Sequence, residues 1–215
     1  FLMIRRPPRS TPKPSSAASV CIRDSHGSVR ALQRVECASA LSAGVNMILE
    51  PSTMRGNAIA GVTSVRGRSH TFDVRADGYA RGEAIDAVAC RLEVGRAVTT
   101  AGSAVRQDGR SASLTAPNGQ AQQALLRAAM SDADVGAAAL SRAAAHGTGT
   151  ALGDPIEAGS LAGAVLSSRG DGSAPPVIGS VKANSGHAEQ GAGLSGLLML
   201  AYGLAQGAAP RPRAG

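Results

Sequence analysis

The sequence predicts an α/β fold, because segments typical of buried strands alternate with segments typical of helices. In the second half of the chain, the apolar run PPVIGSV at 175–181 is followed by the turn KANSGH and then by the helix-like stretch 188–207. The composition is that of a globular protein, since 43% of the 215 residues are hydrophobic and 17% are charged. Alternating strands and helices predict stacked layers around a shared core.

The first half of the chain contains one predicted helix and three predicted strands. In chain order these elements are a helix within 26–37, a buried strand at 38–49, a connection rich in Gly, Ser and Arg at 52–82, and strands at 87–94 and 102–109. The helix is predicted from the helical spacing of Val29, Leu32 and Val35. The last two strands are expected to pair with each other.

The second half is predicted to be mainly helical. Its expected elements are a helix at 119–130, a short strand at 140–145, a helix from 155, a strand at 175–181, a turn at 182–187 and a helix at 188–207. The middle helix is marked by Asp154 as a cap, Pro155 at the first position and Glu157 in a capping-box-like pattern. The last helix is uncharged, so a membrane span is an alternative, but its glycines fit a buried core helix equally well.

The net charge of +7 raises the question of nucleic-acid binding. Most of the excess lies in the two terminal segments, at Arg5, Arg6, Arg9, Lys13, Arg211 and Arg213. The chain has two Phe, two Tyr and no Trp, so it offers no aromatic platform on which bases could stack. We therefore expect no nucleic-acid partner and no membrane association.

The three cysteines, Cys21, Cys37 and Cys90, form neither a CxxC pair nor an even-numbered framework. Neither a zinc site nor a disulfide scaffold is therefore predicted. A reducing compartment fits this pattern, and the apolar residues before Arg5 are too few for a secretory signal. The expected location is cytoplasmic.

The chain divides into three predicted segments. Residues 1–20 are basic and rich in proline, without hydrophobic periodicity, so we expect a disordered arm. This arm resembles a translated sequencing adapter, which marks it as non-native. Residues 21–210 form the predicted domain, and 211–215 form a short tail.

Two histidines occur where α/β folds bind ligands. His146 directly follows the predicted strand 140–145, and His187 follows the strand 175–181 and its turn. A single histidine is more often a hydrogen-bonded structural residue than a catalyst, but two in equivalent positions favour a functional site. A phosphate-binding loop at HGTGTALGD is a weaker alternative, since no Lys-Ser or Lys-Thr follows it.

Two motifs carry a specific resemblance to a known family. AHGTGTALGDPIEAGSL at 145–161 and GSVKANSGHAEQGAG at 179–193 resemble the two histidine motifs of β-ketoacyl synthases (ketosynthases). The segments SAGVNMILEP and TFDVRADGYARGEA occur in the family's order, and the resemblance spans 26–209. It implies a thiolase-like layered fold, α/β/α/β/α, of which only the C-terminal part is present.

The resemblance also implies a decarboxylative Claisen condensation between an acyl-cysteine and a malonyl group on acyl carrier protein, in polyketide or fatty-acid synthesis. His146 and His187 would be catalytic, donating hydrogen bonds to the malonyl thioester carbonyl, and Lys182 would organise their network. The expected supporting residues are Glu157, Asn184, Gly147, Gly149 and Gly186. No bound cofactor is expected, because the phosphopantetheine arm arrives on the carrier protein. The intact domain is expected to be a homodimer.

The family's nucleophilic cysteine has no clear counterpart in this sequence. Aligning HGSVRALQRVEC with the helix after the family nucleophile places that position at Ala18. Cys21 is a possible nucleophile only if the alignment carries a gap, because thiolate activation depends on placement at the helix end. We therefore expect this fragment to be inactive, and a non-catalytic scaffold or chain-length partner is the alternative. Missing strands also predict uncovered apolar faces and poor solubility.

Overall fold

A computed structural model describes residues 18–92, 98–109, 111, 116–170 and 173–206, with side chains from Ile22 onward. Its elements in chain order are α1 (Ala18–Gln33), β1 (Ser39–Asn46), α2 (Pro51–Ile59), β2 (Ala84–Arg91), α3 (Gly119–Asp132), β3 (Arg142–Ala144), α4 (Gly153–Ala164), β4 (Val177–Gly179), α5 (Lys182–Ser185) and α6 (Ala192–Ala205). Short 3-10 turns occupy Ala137–Ala139 and Leu166–Ser168. Helices and strands alternate along much of the chain, as the sequence predicts.

Two small sheets enclose a layer of helices. Strands β1 and β2 pair antiparallel, whereas β3 and β4 are parallel and are joined through α4. Helix α6 contacts strands of both sheets, and α1 packs beside it on β1. Neighbouring residues of β3 face opposite sides: Ala144 approaches Gly196 of α6, and Ala143 packs against the core beyond. The order of layers is therefore sheet, helices, sheet, helices.

The main hydrophobic core lies between the parallel sheet and helices α3 and α4. Its buried members are Leu126, Ala137, Leu161, Ala164 and Val165. Met130, Leu140, Ala143 and Ile178 pack against them from the margins. Because the side chains are small, the helices and strands approach one another closely. This core supports β3 and β4, whose carboxyl ends lead to the two histidines.

Helix α2 differs from the prediction, since residues 52–82 were expected to form only a connection. Glu50 is its N-cap and accepts a hydrogen bond from the Ser52 amide at 2.9 Å, and Pro51 occupies the first turn. No residue of α2 is buried, so the helix has no core-facing apolar stripe to reveal it. The Glu-Pro pair is the sequence signal that could have predicted the helix.

The predicted strand at 102–109 is wrong, because 98–109 contains no regular element and β2 pairs with β1 instead. Side chains bind the backbone here. The Ser103 amide donates to Asp132 at 2.8 Å, and its carbonyl accepts from Arg30 at 2.8 Å. A residue whose backbone groups are satisfied by side chains has no need of a strand partner.

One face of the antiparallel sheet is apolar and exposed, although its first strand was predicted to be buried. Leu41, Val45 and Ile85 are 69%, 51% and 74% exposed, and Val45 lies opposite Ile85. The other face is covered by α1 and α6, and it buries Ser42 and Asn46. The uncovered face agrees with the expectation of an exposed sheet surface.

The structure covers only part of the predicted N-terminal arm and none of the predicted C-terminal tail. Helix α1 begins at Ala18, so helical order starts three residues inside the arm predicted for 1–20. Residues 1–17 and 207–215 lie outside the described residues, so the rest of the arm and the tail stay predictions. Helix α6 buries Leu194 but exposes Tyr202, so it is covered on one side only. Among the described residues, no helix is long and apolar enough to cross a membrane.

Candidate active site

His146 is placed by a tight glycine turn at the carboxyl end of β3. Gly147 and Gly149 have φ values of 45° and 81°, a region that favours glycine. A Cβ at Gly147 would lie 2.6 Å from the Cγ2 atom of Thr71, and one at Gly149 would lie 2.6 Å from the backbone nitrogen of His70. The two predicted supporting glycines are therefore required where the turn meets the segment 69–71.

His187 is held by a strand-like contact with a distant segment. Its amide donates to the Ala80 carbonyl at 2.7 Å, and its carbonyl accepts from the Gly82 amide at 3.0 Å. Gly186 has a φ of 77°, and a Cβ there would lie 2.9 Å from the carbonyl oxygen of Arg81. The predicted supporting role of Gly186 therefore has a geometric basis: it lets the chain approach residues 80–82.

The two histidines meet, as the strand-end argument predicts. Their ring centroids are 5.4 Å apart and the ring planes are nearly perpendicular, at 85°. The ring of Tyr79 packs edge-on against His187 at 5.1 Å, on an interplanar angle of 83°. His187 is buried, whereas His146 keeps an exposed surface. Two imidazoles at this spacing can both reach one small polar group placed between them.

Two carboxylates of α4 brace the turn that carries His146. Glu157 accepts hydrogen bonds from the amides of His146 and Gly147 at 2.5 and 2.7 Å. Asp154 accepts from Gly149 and Thr150 at 3.1 and 3.2 Å. Both side chains therefore bind loop amides before the helix, and Leu152, the N-cap, is not capped by any side chain. The predicted cap at Asp154 is wrong: α4 begins at Gly153, so Asp154 is the second helical residue.

The site keeps both imidazoles neutral near pH 7. Burial, and then the charge of Lys182, lowers the pKa of His187 to about 3. Desolvation of the His146 ring by surrounding protein atoms lowers its pKa well below the usual value, and the charges of Lys182 and His187 lower it further. The residue as a whole keeps a solvent-exposed surface. Burial raises the pKa of Glu157, and the hydrogen bonds from Gly147 and His146 together with the charge of Lys182 oppose that rise.

Lys182 is buried at the start of α5, at 4% exposure, beside this network. Its charge acts on both histidines and on Glu157, and its organising role stays a prediction. Asn184 is exposed in α5, which forms one helical turn where a plain turn was predicted. The Asn184 amide donates to the Val181 carbonyl at 3.0 Å, so backbone bonds hold this turn.

The tautomer of His187 is not fixed by the described neighbours. Its Nδ1 atom is buried and finds no hydrogen-bond partner within the part of the chain that the structure describes. A buried ring nitrogen without a partner is unusual, because such atoms are normally satisfied.

The candidate nucleophile lies on α1. Cys21 is in the first turns of that helix, and its side chain lies outside the described residues. Ala18, the aligned position of the family nucleophile, is the first helical residue. Cys37 and Cys90 are free and half-buried. Within the described residues, no group of three or more His, Cys, Asp or Glu side chains could hold a metal.

Sequence reasoning missed three residues of this site. Tyr79 packs on His187, and Arg81 forms a buried ion pair with Glu189 at 3.1 Å, two residues after that histidine. All three lie in the motif segments TFDVRADGYARGEA and GSVKANSGHAEQGAG. The ion pair joins parts of the chain 108 residues apart, and no local pattern predicts it.

Comparisons with family models and with known proteins agree on one family. The sequence models "Beta-ketoacyl synthase, N-terminal domain" and "Beta-ketoacyl synthase, C-terminal domain" match residues 13–90 and 97–213. A phenolphthiocerol/phthiocerol polyketide synthase of Mycobacterium tuberculosis is 39% identical over 98% of this chain and 11% of its own length. Erythronolide synthase EryA3 of Saccharopolyspora erythraea is 37% identical over 86% of this chain and 6% of its own length.

Solved structures agree with this assignment. The ketosynthase from module 6 of the bacillaene synthase of Bacillus subtilis 168 has a TM-score of 0.82 and 29% identity, over 87% of this chain and 34% of that one. The oxazolomycin ketosynthase domain OzmH KS7 of Streptomyces albus JA3453 has a TM-score of 0.80 and 31% identity, over 88% and 33%. The chain thus spans about a third of these solved chains. With the thiolase-like fold of these structures and both halves of the family represented, the chain belongs to the β-ketoacyl synthase family.

Proposed function

We propose that the chain is a fragment of a ketosynthase domain that condenses an acyl thioester with malonyl-acyl carrier protein in polyketide biosynthesis. The observation that carries this proposal is the convergence of His146 and His187, with ring centroids 5.4 Å apart. The similar relatives named as polyketide synthases favour that pathway over fatty-acid synthesis. The unpaired cysteine pattern favours a cytoplasmic location, and we expect the intact domain to be a homodimer.

In the proposed reaction, the bond between the malonyl carboxylate and the α-carbon breaks and carbon dioxide leaves. The electron pair moves onto the thioester, which becomes an enolate. Neutral His146 and His187 each donate one N–H to the developing oxyanion. Donors of this kind typically lower the barrier by about 2.7–4 kcal/mol each. The enolate carbon then attacks the acyl thioester carbonyl, a carbon-carbon bond forms, and the cysteine thiolate is released.

The low pKa of His187 supports this role, because a neutral imidazole retains a donor without placing a permanent cation beside the substrate. Lys182 helps to hold both rings neutral through its positive charge. Glu157 fixes the turn carrying His146. The phosphopantetheine arm of the acyl carrier protein would deliver the malonyl group, so no resident cofactor is needed.

A second candidate function is a non-catalytic ketosynthase-like scaffold or chain-length partner. The observation that favours it is Ala18, which lies in α1 at the aligned position of the family nucleophile and carries no thiol. Cys21 lies three residues further along the helix, and thiolate activation depends on placement at the helix end.

The distinguishing experiment incubates the purified chain with a radiolabelled acyl thioester and locates the label by peptide mass spectrometry. Acylation of Cys21 that disappears in Cys21→Ser, but persists in the matched Cys37→Ser control, supports a condensing role for this chain. Labelling of neither cysteine is expected of an inactive fragment, so the choice then falls to the intact domain, where an acylated cysteine ahead of His26 supports condensation and none supports the scaffold. Decarboxylation of malonyl thioester by the intact domain is then compared between wild type and His187→Ala. Unchanged release of carbon dioxide would refute the role of the histidines.

A further inference from the structure

Residues Arg81 and Glu189 form a buried ion pair beside His187. The Arg81 Nε atom donates to a Glu189 oxygen at 3.1 Å, and the two side chains are only 6% and 17% exposed. A buried charge that loses its partner is strongly unfavourable, so such a pair holds its two backbone segments together. Here the segments are 79–82 and 187–189.

The pair continues a backbone contact that already surrounds His187. Its amide and carbonyl bond to Ala80 and Gly82, so Arg81 lies directly across from the histidine. A Cβ at Gly82 would lie 2.4 Å from the carbonyl oxygen of Ser185, which shows how closely the two strands approach. The ion pair closes this contact on the far side of His187.

Glu189 adopts a backbone conformation that needs support. Its φ is 33°, in the left-handed region that residues other than glycine rarely occupy. Such a conformation persists only when the surrounding structure enforces it. The Arg81 guanidinium contributes to that constraint through the Glu189 carboxylate, alongside the backbone bond from the Ala192 amide to the Glu189 carbonyl at 3.3 Å.

We infer that the Arg81–Glu189 pair positions His187, holding its ring against Tyr79 and at reacting distance from His146. Neither residue of the pair is assigned to contact the substrate. Any effect on catalysis rests on the proposed function, whereas the placement of the ring does not. The charged and titratable groups that the structure brings near this ring are Lys182, His146, Tyr79, Arg81 and Glu189.

The test is the reaction of the four histidines of the chain with diethyl pyrocarbonate, which modifies neutral imidazole, read residue by residue through peptide mass spectrometry. In Glu189→Gln we expect His187 to be modified at least roughly tenfold faster than in wild type, since loss of one partner of a buried pair lowers the free energy of local opening. His26, in α1, is the internal reference. An equal acceleration of His26 would show general unfolding.

The pH dependence of the same reaction distinguishes release of the His187 ring from the mere loss of the Glu189 charge. The pKa of His187 is lowered by burial and then by the charge of Lys182, not by Glu189, so removing the Glu189 charge by itself leaves the midpoint in place, whereas admitting water to the ring raises it. We expect the midpoint of His187 modification to rise in Glu189→Gln. A midpoint that stays unchanged or falls, with an unchanged rate, would overturn the inference.

Two further variants complete the design. Asp73→Asn removes a carboxylate from the exposed Asp73–Arg75 pair and should leave His187 modification unchanged. Glu189→Asp keeps the charge on a shorter side chain, so it should give a smaller acceleration in the same direction, and it carries the test if Glu189→Gln does not fold. The two proposals fail separately. If the wild-type intact domain does not decarboxylate malonyl thioester while Glu189→Gln still accelerates His187 modification, the proposed function is refuted and the positioning inference stands.

Discussion

Replacement of Asp154 by Asn tests whether this buried carboxylate holds the turn that carries His146. Asp154 is 3% exposed and accepts three backbone bonds. One oxygen takes the Phe72 amide at 2.8 Å, and the other takes those of Gly149 and Thr150 at 3.1 and 3.2 Å. An asparagine side chain has one accepting oxygen, so it can serve Phe72 or the other two amides, but never all three.

The expected loss of stability follows from these contacts. A hydrogen bond to a charged group contributes about 1.5–3 kcal/mol, and a buried donor left without an acceptor costs about 1–3 kcal/mol. The least damaging arrangement of Asp154→Asn sacrifices only the Phe72 bond and turns the amide nitrogen towards that donor. These two figures describe the same lost bond, so we expect the free energy of unfolding to fall by about 1–3 kcal/mol.

Urea unfolding of the purified chain measures this change, and hydrogen exchange locates it. The amides of Phe72, Gly149 and Thr150 should exchange faster in Asp154→Asn. The control is Asp134→Asn, which removes the same charge at an exposed position. A loss smaller than about 1 kcal/mol, or protection of all three amides as in wild type, would refute the idea that Asp154 holds the turn.

Three further predictions follow from the same geometry. Gly149→Ala should lower the melting temperature, because its Cβ would lie 2.6 Å from a backbone nitrogen, whereas Gly159→Ala, where nothing lies within 4 Å, should not. The pKa of His187 is about 3 in the folded chain and 6.5 for an unperturbed histidine, as in the unfolded chain. The unfolded chain therefore binds the proton first, and the free energy of unfolding should fall as the pH drops below 6.5. Urea unfolding at pH 7 and pH 5 should show a smaller fall in His187→Asn than in wild type. Leu41→Thr combined with Ile85→Thr should raise solubility in ultracentrifugation with little change in unfolding midpoint, since both side chains lie on an exposed sheet face.

The parts of the fold that can be predicted best from sequence are those with strong local signals. The helix 119–130 is predicted from its good helix formers and is observed as Gly119–Asp132, where the Asn118 side chain caps two amides. The strand expected at 175–181 is observed as Val177–Gly179. In contrast, 102–109 has strand-like composition but is bound by Arg30 and Asp132, and this tertiary competition cannot be read from the segment itself.

The candidate site divides in the same way. His146 and His187 could be predicted because each follows a strand, and parallel strands bring their carboxyl ends to one edge. The sequence identifies Asp154 as a residue at the start of a helix, but it does not identify the amides that Asp154 binds. The predicted helix begins at Pro155, two residues after the observed start at Gly153, so Asp154 was expected to cap helical amides instead of loop amides. Arg81 and Glu189 could not be paired, because a contact across 108 residues leaves no periodic signal.

Helix α4 explains why the His146 turn can be rigid although it lies partly in solvent. Asp154 and Glu157 are three residues apart, so both project from one side of the helix. Together they accept hydrogen bonds from the amides of His146, Gly147, Gly149 and Thr150, and the buried amides of Gly147 and Gly149 would otherwise lack an acceptor. The core residues of α4 fix the helix against β3 and β4. The position of His146 is therefore set by the packed core through two carboxylates, whereas that of His187 is set by backbone pairing with residues 80–82. The two supports are joined, because the Gly78 amide donates to the Gly149 carbonyl at 2.9 Å, next to the segment that binds His187. Asp154→Asn should therefore disturb the His146 turn first, and faster exchange of the Gly78 amide would show that the disturbance reaches residues 78–82.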